Sequence, residues 1–227
     1  MKKLLGAVLA FGCALAHGDE FYGTLEPFVS EAVYFVLTDR FVDGDPANNH
    51  VGQGGAWGTF DRPLAHDDGT AANVGYLGGD FAGILQNADY IADMGFTALW
   101  ITPIVDNPDQ AFSGGFGLGE ALFADHGKSG YHGYWGVNFY RVDEHLESAQ
   151  LDFRGFADGL EKAGLKLVLD IVANHGSPAF TMPARQPGFG QLYDGDNRLV
   201  ADHQNQPPAA LDPENPLHRF FHREPDL

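Results

Sequence analysis

The sequence predicts an α/β fold built on a parallel sheet, and three observations carry the prediction. Apolar runs rich in Val, Ile, Leu and aromatic residues at 32–38, 98–102 and 165–172 have the length and composition of strands. Two stretches with helical spacing of apolar residues separate these runs, and long glycine-rich loops follow the first two. Strands alternating with helices, with long loops after the strands, is the signature of βαβ units.

The first strand is expected over 32–38, followed by a Gly- and Asn-rich loop from Asp43 to Gly79. Phe81, Ile84, Leu85, Ala88, Ile91 and Met94 then recur at helical spacing, and Gly95 sits where a helix C-cap belongs. The second strand, 98–102, is stopped by Pro103. A second glycine-rich loop runs to Tyr140, after which Leu151, Phe153, Phe156 and Leu160 mark another helix, stopped by Gly164. In the third strand, 165–172, only Lys166 and Asp170 interrupt the Val, Leu and Ile run, so a strand covered on both faces is expected. From His175 onward eight prolines punctuate a polar stretch that shows neither helical nor strand periodicity.

The first sixteen residues read as a separate device. Lys2 and Lys3, an apolar run, and Ala14-Leu15-Ala16 make the three parts of a secretory signal, with cleavage expected after Ala16. The apolar run is too short to span a bilayer as a helix, so no transmembrane segment is expected. Cys13 is the only cysteine and lies within the signal, which leaves a mature chain without disulfides. Lipoprotein anchoring at Cys13 is the weaker alternative to free secretion. The net charge of −18 repels phosphate backbones and disfavours nucleic-acid binding. It fits a solvated acidic surface, part of which serves a divalent cation.

Three motifs carry chemistry. Asp170, Asn174 and His175 place a carboxylate, an amide and an imidazole at the C-terminal end of the third strand, where α/β folds put their active groups. Asp43, Asp45, Asn48 and Asn49 supply four hard oxygen donors within seven residues, the ligand type that Ca²⁺ prefers. The spacing is not that of an EF-hand, and an Asx-rich turn fits the same residues. Gly78 and Asp80, offering a carbonyl and a carboxylate from across the loop, tilt the reading toward metal. Finally, Tyr131, His132, Tyr134 and Trp135 cluster aromatics around an imidazole. Such faces suit the C–H surfaces of sugar rings, although an aromatic minicore pinning the loop is the commoner use.

Taken together in this order, the segments resemble the α-amylase family of glycoside hydrolases (family 13). The run from Thr38 to Asn49 looks like that family's first strand end and calcium loop, and Gly79 through Pro103 like its first helix and second strand. The Tyr131-His132-Gly133-Tyr134-Trp135 run and the run from Asp170 to His175 look like two of its signatures. The resemblance implies the N-terminal portion of a (β/α)₈ TIM barrel, comprising its first three strands, with an irregular B domain inserted after strand three. The expected organisation is a signal peptide at 1–16, barrel at 17–174 and the start of the B domain at 175–227.

The resemblance further implies an α-1,4-glucan substrate cleaved with retention, and no protein partner. By position, His132, Tyr134, Trp135 and His175 would contact the sugar, and Asp170 would orient neighbouring active groups. Asn174 would ligate a calcium ion between barrel and B domain. Asp43, Asp45, Asn48, Asn49, Asp80 and the Gly78 carbonyl would hold a second one, as in the cyclodextrin-forming branch. The nucleophile and acid/base of the family come from later strands, expected beyond Leu227. The chain is therefore expected to be an N-terminal fragment, inactive alone. A cyclodextrin-forming transglycosylase and a non-catalytic calcium- and glucan-binding protein are the competing readings.

Overall fold

In the computed structural model, residues 27–65, 69, 71–112, 127–177 and 190–202 are described. The expected signal peptide, Cys13 and most of the expected B-domain segment lie outside them. Met1–Glu31 forms one compact unit, whose described part is a 3₁₀ turn at Pro27–Ser30, and Ala32–Leu227 forms a second.

Within the second unit the elements are, in order, β1 (Val33–Val36), β2 (Pro63–Ala65), β3 (Ala71–Asn73), α1 (Phe81–Gln86), α2 (Ala88–Asp93), β4 (Ala98–Ile101), β5 (Val105–Asp106), β6 (Asn138–Val142), α3 (Phe153–Lys162), β7 (Lys166–Leu169), β8 (Gln191–Tyr193) and β9 (Leu199–Asp202). The three predicted strands form a parallel sheet in the order β1-β4-β7. Phe35 pairs with Trp100 and Trp100 with Val168, so these side chains share one face. Val36, Leu99, Ile101 and Leu167 point the other way, toward the helices.

That second face makes the core. Phe81 and Ile84 of α1, Ile91 of α2, and Phe156 and Leu160 of α3 are fully buried against Leu99 and Ile101. Each such side chain contributes about 1.5–3 kcal/mol. The rings of Phe81 and Phe156 stack with centroids 4.4 Å apart. α1 and α3 begin on side-chain caps: Asp80 accepts from the Gly83 N–H at 2.6 Å, and Asp152 from the Gly155 N–H at 2.8 Å. α2 and α3 end on Gly95 and Gly164, both in the left-handed region.

The structure differs from the sequence expectation in four respects. The single helix expected over 81–94 is two, parted at Asn87, whose Nδ2 donates to the Gly83 carbonyl at 2.8 Å and competes with the helical ladder. The first strand is shorter than 32–38, because Thr38–Arg40 tightens into a 3₁₀ turn. The third strand is shorter than 165–172 and is not covered on both faces. Leu169 is 37% and Ile171 74% exposed, since among the described residues β7 lies at the sheet edge, paired with β4 alone. On the opposite face Phe35 is 50% and Trp100 40% exposed, their rings meeting edge-on at 5.1 Å. Lastly, the polar stretch after His175 contains the antiparallel hairpin β8–β9, turned through Asp194 to Asn197.

Candidate active site

Asp170 extends the β7 ladder by one residue, its N–H donating to the Ile101 carbonyl at 3.3 Å. Its carboxylate therefore emerges at the C-terminal edge of the parallel sheet. There Asp170 Oδ2 accepts from the Tyr134 hydroxyl at 2.9 Å. His175 Nε2–H donates to the Tyr134 carbonyl at 3.1 Å, and the Tyr134 N–H donates to His132 Nδ1 at 3.0 Å. One loop residue thus ties together both imidazoles and the strand-end carboxylate.

The loop geometry follows from Gly133. Its φ is +81°, and a Cβ there would stand 2.1 Å from the Pro103 carbonyl oxygen, so only glycine lets the loop lie against the end of β4. His132 and Trp135 then meet edge-on at 4.7 Å. Trp135 is held by its N–H donating to Asn107 Oδ1 at 2.9 Å, while Lys128 Nζ lies 5.7 Å from its ring. Burial, then the charges of Lys128 and Arg40 and the neighbouring His175, push the His132 imidazole down to about 4. At neutral pH the ring is uncharged; with Nδ1 accepting, Nε2 carries the proton and is a donor. Burial and Asp170 push the Tyr134 phenol up, so it stays protonated and donates.

His132, Tyr134, Trp135, Asp170 and His175 accordingly form one constellation. Asn174 stands at its exposed rim, with Nδ2 3.5 Å from His175 Nδ1. A neutral imidazole donor, an oriented carboxylate and aromatic faces are what recognition of a sugar ring requires.

The second predicted group sits in the loop after β1. Asn49 Nδ2 donates to Asp43 Oδ2 at 2.9 Å, and Asp45 caps a 3₁₀ turn by accepting from the Ala47 N–H at 3.1 Å. Asn48 Oδ1 and Asn49 Oδ1 are buried without a hydrogen-bond partner. Gly78, at φ +93°, faces them: a Cβ there would lie 2.4 Å from Asn49 Oδ1 and 3.0 Å from Asp43 Oδ2. Two orphaned carbonyl oxygens beside a carboxylate are a donor set that fits a hard cation. Asp80 differs. Its oxygens already accept from the N–H groups of Gly44, Asp45 and Gly83 and from Asn48 Nδ2, so it locks the loop onto α1.

Sequence reasoning missed two features. Asp39 and Arg40 follow β1 directly; Asp39 accepts from the Leu77 and Gly78 N–H groups, and the Arg40 guanidinium lies 3.7 Å from the Tyr131 ring centroid. Their place just beyond a parallel strand was the available signal. The other is an acidic trio, Asp106, Asp109 and Glu144, whose ligand oxygens lie within 4.8 Å of one another in a metal-compatible arrangement. Burial, then Asp143, Glu144 and Asp109, push Asp106 up to about 8. No sequence spacing announces it, because the loop at 106–109 and the segment after β6 are brought together by the fold.

Comparison with known proteins agrees with this architecture. Residues 35–187 match the family model described as alpha amylase, catalytic domain. A cyclomaltodextrin glucanotransferase of Bacillus licheniformis is 32% identical over 213 residues, covering 89% of this chain and 26% of that protein. The enzyme of the same name from Klebsiella oxytoca is 34% identical over 168 residues, 73% of this chain and 21% of the relative. Among solved structures, the three-domain cyclomaltodextrin glucanotransferase CldA superposes with a TM-score of 0.57 at 33% identity, covering 79% of this chain and 32% of that one. The chain belongs to the α-amylase family through its catalytic domain. It spans roughly a quarter of the length of the curated relatives it matches.

Proposed function

We propose that the chain is the N-terminal part of a secreted α-glucan-acting enzyme of α-amylase type, cleaving α-1,4 linkages with retention. The observation that carries the reading is the Tyr134 node, which gathers Asp170, His132 and His175 at the C-terminal edge of the parallel sheet, where barrel enzymes build their sites. In this reading Tyr134 and Trp135 offer ring faces to the sugar. His132 donates from Nε2 to a ring hydroxyl, His175 contacts a neighbouring one, and Asp170 holds Tyr134 and orients adjoining groups. Retention requires two carboxyl groups about 5–5.5 Å apart, and the proposal assigns both to polypeptide beyond Leu227. The (β/α)₈ barrel closes over the exposed Phe35–Trp100 face, and the β8–β9 hairpin belongs to the inserted B domain.

Calcium is part of the proposal. Asp43, Asn48, Asn49 and the Gly78 carbonyl would hold one ion, with Asp45 at the edge and Asp80 fastening the loop. Asn174 would contribute to another. When bound, the ion supplies positive charge that cross-links the loop.

Calorimetric titration of the full chain with maltoheptaose tests the sugar site. Binding that weakens at least fivefold in both His132→Ala and Tyr134→Ala is expected, and wild-type affinity in both variants overturns it. Starch hydrolysis by the chain above a blank would contradict the assignment of the catalytic carboxyls. A second reading, cyclodextrin-forming transglycosylation, is favoured by the names of the relatives reported above. Sequencing the DNA beyond Leu227 and assaying the encoded polypeptide for cyclic products separates it from hydrolysis.

A further inference from the structure

We propose that Arg40 is a positioning residue that couples the cation loop to the sugar cradle, so that a cation held beside Asp43 and Asn49 raises glucan affinity through Asp39 and Arg40. The inference rests on the calcium and glucan reading above and adds the physical link between the two sites.

The link is a chain of buried contacts. Gly78 borders the cation loop: a Cβ built on it would lie 2.4 Å from Asn49 Oδ1 and 3.0 Å from Asp43 Oδ2. Its N–H donates to Asp39 Oδ1 at 3.1 Å, and the Leu77 N–H donates to the same carboxylate at 2.9 Å. Asp39 pairs in turn with Arg40 Nη1, and its side chain is almost wholly buried. Arg40 Nη2 donates to the Asn73 carbonyl at 3.0 Å and the Gly75 carbonyl at 2.8 Å. Three fixed partners leave the guanidinium plane one orientation, and in it the cation lies over the Tyr131 ring. Tyr131 meets His132 edge-on at 5.3 Å, and His132 accepts from Tyr134.

The physical consequence follows from the orphaned oxygens. Asn48 Oδ1 and Asn49 Oδ1 lie buried and unpaired, and Asn49 Nδ2 donates to Asp43 Oδ2, so two carbonyl oxygens and a carboxylate converge beside Gly78. A cation held by these oxygens and the Gly78 carbonyl would fix Gly78, whose N–H is one of the Asp39 hydrogen bonds, and through Asp39 the shelf on which Tyr131 rests. Coupling of this kind is reciprocal, so glucan must tighten the cation site by the same factor.

The test is calorimetry on the full chain, titrating maltoheptaose in saturating Ca²⁺ and in excess EGTA, and Ca²⁺ with and without maltoheptaose. About tenfold tighter glucan binding with Ca²⁺ is expected, with the matching gain in Ca²⁺ affinity, a typical coupling strength. In Arg40→Met, glucan affinity falls to the EGTA level and no longer responds to Ca²⁺, while Ca²⁺ affinity without glucan stays within about twofold of wild type. Arg40→Lys, which keeps the charge but not the planar fork, retains part of the response. Tyr131→Phe retains the coupling and Tyr131→Leu loses it, which keeps the test decisive if Arg40→Met folds poorly. Glucan affinity indifferent to Ca²⁺ in a wild-type chain that binds both ligands overturns the coupling and spares the functional reading. A wild-type chain that binds no glucan overturns both.

Discussion

Tyr134 donates its phenolic hydrogen to Asp170 at 2.9 Å, joining the loop that follows β5 to the end of β7. The bond gives a carboxylate at the end of an edge strand a fixed donor, and it gives the loop a second anchor beyond Pro103. Tyr134→Phe keeps the ring and removes the bond. The expected outcome is weaker maltoheptaose binding by about fivefold, the effect of roughly 1 kcal/mol for one partly exposed hydrogen bond. Isothermal titration of the variant against wild type checks it, and unchanged affinity would separate the bond from sugar recognition.

His132 predicts a pH effect whose sign is fixed by its lowered pKa. Above the unfolded value of about 6.5 the imidazole is neutral in both states and the full stability is present. As pH falls from there toward 4, only the unfolded chain takes up the proton, and stability is lost. Asp39 opposes this: burial raises its carboxyl to about 6 against the attraction of Arg40, so its protonation favours the folded state in the same window. The two contributions partly cancel in wild type, and a variant comparison exposes one of them. His132→Gln should gain about 1–2 kcal/mol relative to wild type between pH 7.5 and pH 4.5, read from urea midpoints. A difference independent of pH would mean that His132 takes up its proton alike in the folded and unfolded chain.

Asp80 and Asn49 are expected to respond differently to calcium. Asp80 accepts four hydrogen bonds inside the protein, so Asp80→Ala should cost about 2–3 kcal/mol in Ca²⁺ and in EGTA alike. Asn49 Oδ1 has no protein partner. Asn49→Ala should therefore reduce the melting temperature more when Ca²⁺ is present, by removing ligand-linked stabilisation, than in EGTA, where only its Nδ2 bond to Asp43 is lost. Thermal melts of both variants under the two conditions check this. A loss for Asn49→Ala that is equal in EGTA would remove this oxygen from the cation site.

These contrasts also mark what was legible in the sequence. The three strands were readable because apolar runs of strand length bounded by glycine and proline depend on local composition, and Gly95 and Gly164 because a helix stop needs a left-handed residue. The Tyr134 cluster was readable as a motif, though its bond to Asp170 was not. The break at Asn87 was hidden because the apolar spacing runs through it, while one side-chain amide decides the backbone path. The β8–β9 hairpin was hidden among prolines, and its pairing is tied from outside, with Tyr193 donating to the Val137 carbonyl at 2.8 Å. Arg40 over Tyr131 and the acidic trio at Asp106 join segments far apart in sequence, and a single sequence carries no signal of such meetings.

Two glycines separate backbone necessity from helix packing. At Gly133 an added Cβ would meet the Pro103 carbonyl at 2.1 Å, and φ is +81°, so both the space and the conformation exclude a side chain. At Gly159 of α3 the Cβ would approach only the Leu85 methyl groups, at 2.8 Å, and the helical backbone suits alanine. Leu85 can rotate away, and the gain of roughly 1 kcal/mol in helix propensity offsets part of the crowding. Gly133→Ala should thus destabilise by about 2–4 kcal/mol and displace His132 and Trp135, lowering maltoheptaose affinity in calorimetry. Gly159→Ala should change stability by less than about 1 kcal/mol and leave that affinity at the wild-type value. The reverse order in paired urea melts would place the tighter constraint at the helix contact rather than at the aromatic loop.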